Sequence, residues 1–217
     1  MTHPAIQKAH DFARGHFGED GSGHDWWHVH RVWNTAIYLA EEEKANRTVV
    51  EIAALLHDVA DWKLADGGEE AGMQQICDLL TDEVDGKELD HVCAIIRSLS
   101  FKGAGVATPM ATLEGKIVQD ADRLDAIGAI GIARAFAYGG NRNRLIHDPD
   151  KPPVMHESFE AYKKNKGASI NHFYEKLLLL KDRINTDAGR KMAEERHRFM
   201  ETYLDQFFRE WEGTPLD

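Results

Sequence analysis

The stretch Ala53-Ala54-Leu55-Leu56-His57-Asp58-Val59-Ala60-Asp61 decides how the rest of the chain is read. Apolar residues with good helix propensity lead straight into a histidine and an aspartate, and a second aspartate follows three residues on. Burying a carboxylate without compensation costs several kcal/mol, so an acid on an apolar helix needs a counter-charge. A divalent metal ion supplies one. Adjacent helical residues point about 100° apart, so His57 and Asp58 converge on one ion only near a helix end, where the backbone can adjust.

Working outward, helical periodicity dominates. Thr48 reads as an N-cap and Glu51, three residues later, completes a capping box; the helix from Val49 to about Ala60 is apolar nearly all round and belongs at the centre of the core. Before it, Ile6 to Phe17 is amphipathic, and Trp26 to about Lys44 carries Val32, Thr35, Ala36, Leu39 and Ala40 on one stripe, with Glu41-Glu42-Glu43 facing water. After Asp66-Gly67-Gly68 come helices over about Glu69 to Thr81 and Lys87 to Leu99, a loop over Gly103 to Pro109, and one or two helices over Leu113 to Tyr138. Residues 139–155 read as a long loop of a kind that is often functional. The last helix, Asp187 to Trp211, sets Phe199, Met200, Tyr203, Leu204, Phe207, Phe208 and Trp211 at 3–4 spacing, a stripe suited to core packing or to a second copy of the chain in a homodimer. No β-alternating run or internal repeat appears. The expected fold class is all-α.

Composition narrows the function. At 217 residues, 42% hydrophobic and 29% charged, the chain can bury a substantial core. A formal charge of −11 disfavours nucleic acid and anionic membranes as partners. It leaves room for a small anionic substrate, because a metal and a few local cations can reverse the field inside a site. Cys77 and Cys93 read as free thiols, and with no apolar leader or span-length run the expected location is cytoplasmic.

The residues with metal chemistry are His28, His57, Asp58 and Asp122. Two imidazoles and two carboxylates without a thiolate suit one divalent ion of the Mn, Fe, Ni, Co, Zn or Mg group rather than a structural zinc. The order His28…His57-Asp58…Asp122 resembles the H…HD…D signature of the HD-domain metal-dependent phosphohydrolases. His28-Val29-His30-Arg31-Val32 is similar to that family's first-histidine helix, and Ala121-Asp122-Arg123-Leu124 to its terminal A-D-R-L. Likeness to a subgroup of small single-domain bacterial HD hydrolases extends through Ser100-Phe101-Lys102, Gln119 to Gly128 and Tyr138-Gly139-Gly140, most of the chain.

The resemblance implies that these four residues are the metal ligands of a single all-α HD domain over 1–217, with an HD core at about 20–138, a loop at 139–156 and C-terminal helices at 157–212 packed on the core. HD proteins with two metals carry two extra histidines before the last aspartate; here that interval holds only His91, which favours one ion and disfavours a two-iron oxygenase. The expected reaction is hydrolysis of a phosphoester or phosphoanhydride, as phosphate from a nucleoside monophosphate or pyrophosphate from a triphosphate.

Asp61, one turn beyond Asp58, is the candidate general base, or else a supporting carboxylate. Arg31, Lys63, Lys102, Arg123, Arg142 and Arg144 are candidate phosphate contacts, each equally able to serve in an ion pair; Arg123 in particular could hold Asp120 or Asp125. His24 reads as a surface histidine or else one at the site mouth, and Trp26, Trp27 and Trp62 could wall the pocket against a base or pack in the core. The competing reading is a non-catalytic module that senses a nucleotide or phosphate and signals to a protein partner.

Overall fold

A computed structural model describes residues 3–18, 25–60, 68–99, 108–155 and 167–213. The architecture is all-α, with no strand among the described residues. Seven helices come first: α1 (Pro4–His16), α2 (Trp26–Glu43), α3 (Arg47–Leu56), α4 (Glu69–Leu80), α5 (Gly86–Ser98), α6 (Leu113–Asp125) and α7 (Gly128–Asn141). A short α8 (Asn171–Glu175) and 3-10 turns at Leu177–Leu179 and Lys181–Arg183 lead into the long α9 (Asp187–Trp211).

Helix α3 is the centre. It touches α1, α2, α5 and α6, and every residue from Val49 to Leu56 is buried. Burying side chains such as Ile52, Leu55 and Leu56 is favourable by roughly 1.5–3 kcal/mol each, so this segment has no face to give to solvent. Its N-cap is Asn46, whose side chain accepts from Thr48 N and Val49 N, and not Thr48. The expected capping box does not form, because Glu51 turns into the core, where it accepts from Trp33 Nε1 at 2.9 Å and Arg47 Nε at 2.6 Å.

Other boundaries moved for local reasons. The 113–138 segment divides at Ala126-Ile127, where Gly128 takes a φ of +75° that L-residues rarely adopt. Helix α7 then runs through Gly139 and Gly140 to Asn141, so the described irregular segment starts at 142 rather than 139. That segment is tied down by Ser169 N donating to Leu145 O and Ile170 N to Ile146 O, at 2.9 and 3.0 Å.

The C-terminal helix is fastened where it starts. Asp120 on α6, fully buried, accepts from Asn185 N, Thr186 N and Thr186 Oγ1, while Thr186 itself caps α9. Glu43, expected in water, instead accepts from Ala188 N at 2.9 Å. Its carboxylate sits among the unpaired N–H groups of the α9 first turn, which the helix dipole favours. Met200 and Leu204 join the apolar core that includes Ile6, Leu55 and Leu124, and Tyr203 stacks on Phe173 with centroids 5.9 Å apart. The aromatic stripe is therefore largely core packing, although Phe199 and Trp211 remain exposed.

Candidate metal centre

Three helix ends deliver the site. His28 lies in the first turn of α2, where the cap residue Asp25 accepts from His28 N at 2.8 Å and fixes that turn. Helix α3 stops at Leu56, with His57 as its C-cap and residues 57–60 in turns. His57 keeps helical dihedrals, and it and Asp58 converge at this helix end. From the last turn of α6 come Asp122 and Asp125, three residues apart on one face.

His28, His57 and Asp58 form a buried group whose donor atoms all lie within 4.8 Å of one another. The Nε2 atoms of the two histidines are 3.3 Å apart. Asp58 approaches both, Oδ2 at 3.4 Å from His28 Nε2 and Oδ1 at 3.3 Å from His57 Nε2. Asp122 Oδ1 is 3.7 Å from His28 Nε2, on a side chain that is 40% exposed. It forms the open edge of the cluster.

The partners of the other ring nitrogens assign the tautomers. His57 Nδ1 donates to Ala54 O at 2.8 Å, and His28 Nδ1 to Asp125 Oδ2 at 2.7 Å. Both Nε2 atoms are thus left to face each other and the carboxylate oxygens, an arrangement that takes up positive charge, as a metal ion or as a proton on His28. Ligands about 2.1 Å from an ion lie roughly 3.0–3.4 Å from one another in octahedral or tetrahedral sites, which matches the His28, His57 and Asp58 spacings. The residues fit a divalent metal, and a mixed imidazole–carboxylate set without thiolate suits Mn, Fe, Co, Ni or Zn.

The electrostatics express the same demand. Burial pulls the His28 ring down, yet hydrogen bonds to Asp125 and Asp58 more than offset it and raise the ring to about 9. Asp125, only 4% exposed, is pushed up by burial but held well below the usual carboxylate range by His28 and Arg31. Its partners are Arg31 (Nε 2.7 Å, Nη2 3.1 Å), the Arg134 guanidinium and His28. A carboxylate on the far nitrogen of a metal-binding histidine fixes the ring's orientation and raises its basicity.

The remaining sequence candidates divide. Arg31 is engaged with Asp125 at the back of His28. Arg123 reaches Arg183 O and Thr108 Oγ1, while Asp120 is held by Asn185 and Thr186. Arg142 and Arg144 both lie against the Tyr138 ring, 5.5 and 5.7 Å from its centroid. Trp26 packs on the core edge and Trp27 is exposed. His91 bonds Thr112 Oγ1 and does not join the buried His28–His57–Asp58 group. His24, Asp61, Trp62, Lys63 and Lys102 lie outside the described residues.

Two residues that sequence reasoning passed over also face this region. Lys176, just after α8, is pulled down by burial and back up by the charge of Asp122, with Arg134, Arg123 and Tyr138 nearby. His172 is driven down to about 3 by burial, then by the charges of Lys176 and Arg144. A histidine in a five-residue helix and the lysine that follows it carry no spacing signal that would have found them.

Comparison with known proteins accounts for this arrangement. A model of the HD domain matches residues 26–127, a span that holds all four candidate ligands. The uncharacterized protein YpgQ of Bacillus subtilis is 43% identical over 197 residues, covering 90% of this chain and 88% of YpgQ. The chain belongs to the HD domain family. An HD-superfamily hydrolase from Bacillus thuringiensis superposes with a TM-score of 0.75 at 47% identity, covering 95% of this chain and 96% of that one. A Lactobacillus plantarum protein gives a TM-score of 0.86 at 38% identity over 98% of this chain and 99% of its own. YpgQ crystallised in complex with ADP superposes at 0.75 and 36% identity over 94% of this chain and 97% of YpgQ. These relatives match far beyond residue 127, so the likeness includes α7 to α9 as well as the matched HD span. Among the described residues no helix is long and apolar enough to cross a membrane.

Proposed function

We propose that this chain is a cytoplasmic, metal-dependent phosphohydrolase that cleaves a phosphoester or phosphoanhydride of a nucleotide, releasing phosphate from a monophosphate or pyrophosphate from a triphosphate. The observation that carries the reading is the convergence of His28, His57 and Asp58 with both Nδ1 atoms committed outward, which leaves the Nε2 atoms and a carboxylate grouped where a divalent cation would bind. Asp122 is the proposed fourth ligand, and one divalent ion per chain the proposed cofactor. That ADP occupies the crystallised relative YpgQ supports a nucleotide as the substrate class. Residues 1–217 are read as one HD domain, whose C-terminal helices complete the wall beside Asp122.

When bound, the metal would lower the pKa of a coordinated water and polarise a phosphoryl oxygen. His28 and His57 hold their Nε2 lone pairs in place through Asp125 and Ala54 O, so little reorganisation accompanies binding. Asp61 is the proposed base for the attacking water, as the next acid in the sequence after the His57-Asp58 pair. The phosphate charge would meet Lys176, beside Asp122, and the guanidiniums of Arg142 and Arg144, with Lys63 and Lys102 as further candidates from sequence. Arg31 serves the site through Asp125, and Arg123 through the frame around α6.

The test is turnover of a panel of nucleoside mono-, di- and triphosphates by the native chain and Asp58→Ala, with Mn²⁺ and other divalents, alongside elemental analysis of bound metal. Metal-dependent hydrolysis lost in the variant is expected. Equal turnover in both proteins would sink the metal-centred mechanism, and tight nucleotide binding without turnover under any metal would favour the sensing module.

A further inference from the structure

Away from the metal centre, two helices bring the chain's only cysteines together. Cys77 lies in the last turn of α4 and Cys93 in the middle of α5, and their Sγ atoms are 3.8 Å apart. Nothing in the spacing, sixteen residues with a turn between, announces this; it follows from α4 and α5 packing against each other. A disulfide needs an S–S distance of about 2.05 Å, so the two sulfurs must close by roughly 1.8 Å.

We infer that Cys77 and Cys93 form a peroxide-oxidisable dithiol, a modification site that closes to an intramolecular disulfide. The two thiols are unequal. Cys77 is partly exposed and is the sulfur an oxidant meets; Cys93 is buried, and burial together with Cys77 pushes its thiol up to about 11, so it stays protonated until a partner sulfur is activated. In the first step the Cys77 thiolate attacks one peroxide oxygen, the O–O bond breaks, and water leaves with the thiol's proton, giving a sulfenic acid. In the second, Cys93 sulfur attacks Cys77 sulfur, the S–O bond breaks, and a second water carries off the Cys93 proton. Two thiols and one hydrogen peroxide become one disulfide and two waters; the sulfurs lose two electrons and the peroxide gains them. The bond would tie α4 to α5 across a short loop and restrict the unfolded chain.

The experiment treats the full-length folded chain with hydrogen peroxide, alkylates remaining thiols and digests with trypsin. Cleavage after Lys63, Lys87 and Arg97 puts the two cysteines on separate peptides, 64–87 and 88–97. The expected result is a linked pair of these peptides from monomeric protein, two hydrogens lighter than their sum, and a Tm raised on the order of 5 °C. Cys93→Ser should instead accumulate a dimedone-reactive sulfenic acid on Cys77. Two thiols still alkylatable after treatment, disulfide-linked dimers, or a sulfinate on Cys77 without the linked pair would each overturn the inference.

Discussion

Asp125→Asn tests whether the back of the site governs its front. The carboxylate is 4% exposed and accepts from three cationic or polarised groups: His28 Nδ1 at 2.7 Å, Arg31 at 2.7 and 3.1 Å, and Arg134. Asparagine keeps one oxygen and places an NH₂ against at least one donor. Hydrogen bonds to charged groups contribute about 1.5–3 kcal/mol each. The Arg31 and Arg134 side chains keep 33% and 20% exposure, so water recovers part of their loss. A net destabilisation of about 3 kcal/mol is expected, which lowers Tm by roughly 6–12 °C in a chain of this size. Disturbing the orienting partner of a metal-binding histidine typically costs 10- to 100-fold in metal affinity, and that range is expected for Mn²⁺ measured by calorimetry or chelator competition. Asp120→Asn is the control. It lies on the same helix and is as deeply buried, but its partners are the neutral groups of Asn185 and Thr186, not His28. It should lower Tm and leave Mn²⁺ affinity unchanged. If Asp125→Asn binds Mn²⁺ as the native chain does, or both variants lose affinity equally, the inference that Asp125 orients His28 is wrong.

Two further outcomes follow from packing and charge. At Gly72 an added Cβ would sit 2.6 Å from Val59 O and 2.7 Å from Ala60 Cα, so Gly72→Ala must displace backbone next to the turn that carries His57 and Asp58. A loss of about 1–3 kcal/mol in stability is expected, with weakened Mn²⁺ binding in the folded fraction; a variant matching the native chain in urea melts and titration would refute it. His172 gives a pH signature. With its folded value near 3 against 6.5, the unfolded chain takes up a proton that the folded chain refuses, so stability is full above pH 6.5 and falls as pH drops towards 3. Between pH 7.5 and 5.5 the native chain should lose about 1.4 kcal/mol more than His172→Asn in urea melts, and parallel profiles would show that His172 is not held neutral.

The helical class was readable because core burial is periodic. Asp187–Trp211 runs over the residues the 3–4 pattern marked, and the all-round apolar character of α3 anticipated its central place. What misled were polar residues with more than one available use. Glu51 satisfies a capping-box pattern, yet the i,i+4 neighbour Arg47 and, from α2, Trp33 claim its carboxylate, and the Trp33 contact is one that local sequence cannot reveal. Glu43 belongs by pattern to a solvated acidic run, and only the arrival of α9 gives it Ala188 N to receive. The pairing of Cys77 with Cys93 is equally a product of how two helices dock.

The site divides along the same physical line. His57-Asp58 could be found because an apolar run is a costly place for a charge, a statement about energy that sequence alone supports. Asp125 has no such context: in Asp120-Ala121-Asp122-Arg123-Leu124-Asp125 three acids sit within one turn of a single arginine, and any could be its partner. The fold resolves them into three jobs, with Asp120 turned to α9, Asp122 to the cluster mouth and Asp125 to the back of His28. Arg123 partners none of them by hydrogen bond, reaching Thr108 and Arg183 instead. One turn of α6 therefore supplies both an acid beside the histidine's inward nitrogen and the acid that orients its outward one. Any displacement of that turn should alter metal affinity twice over, which is why Asp125, and not the exposed Asp122, is the more informative place to perturb.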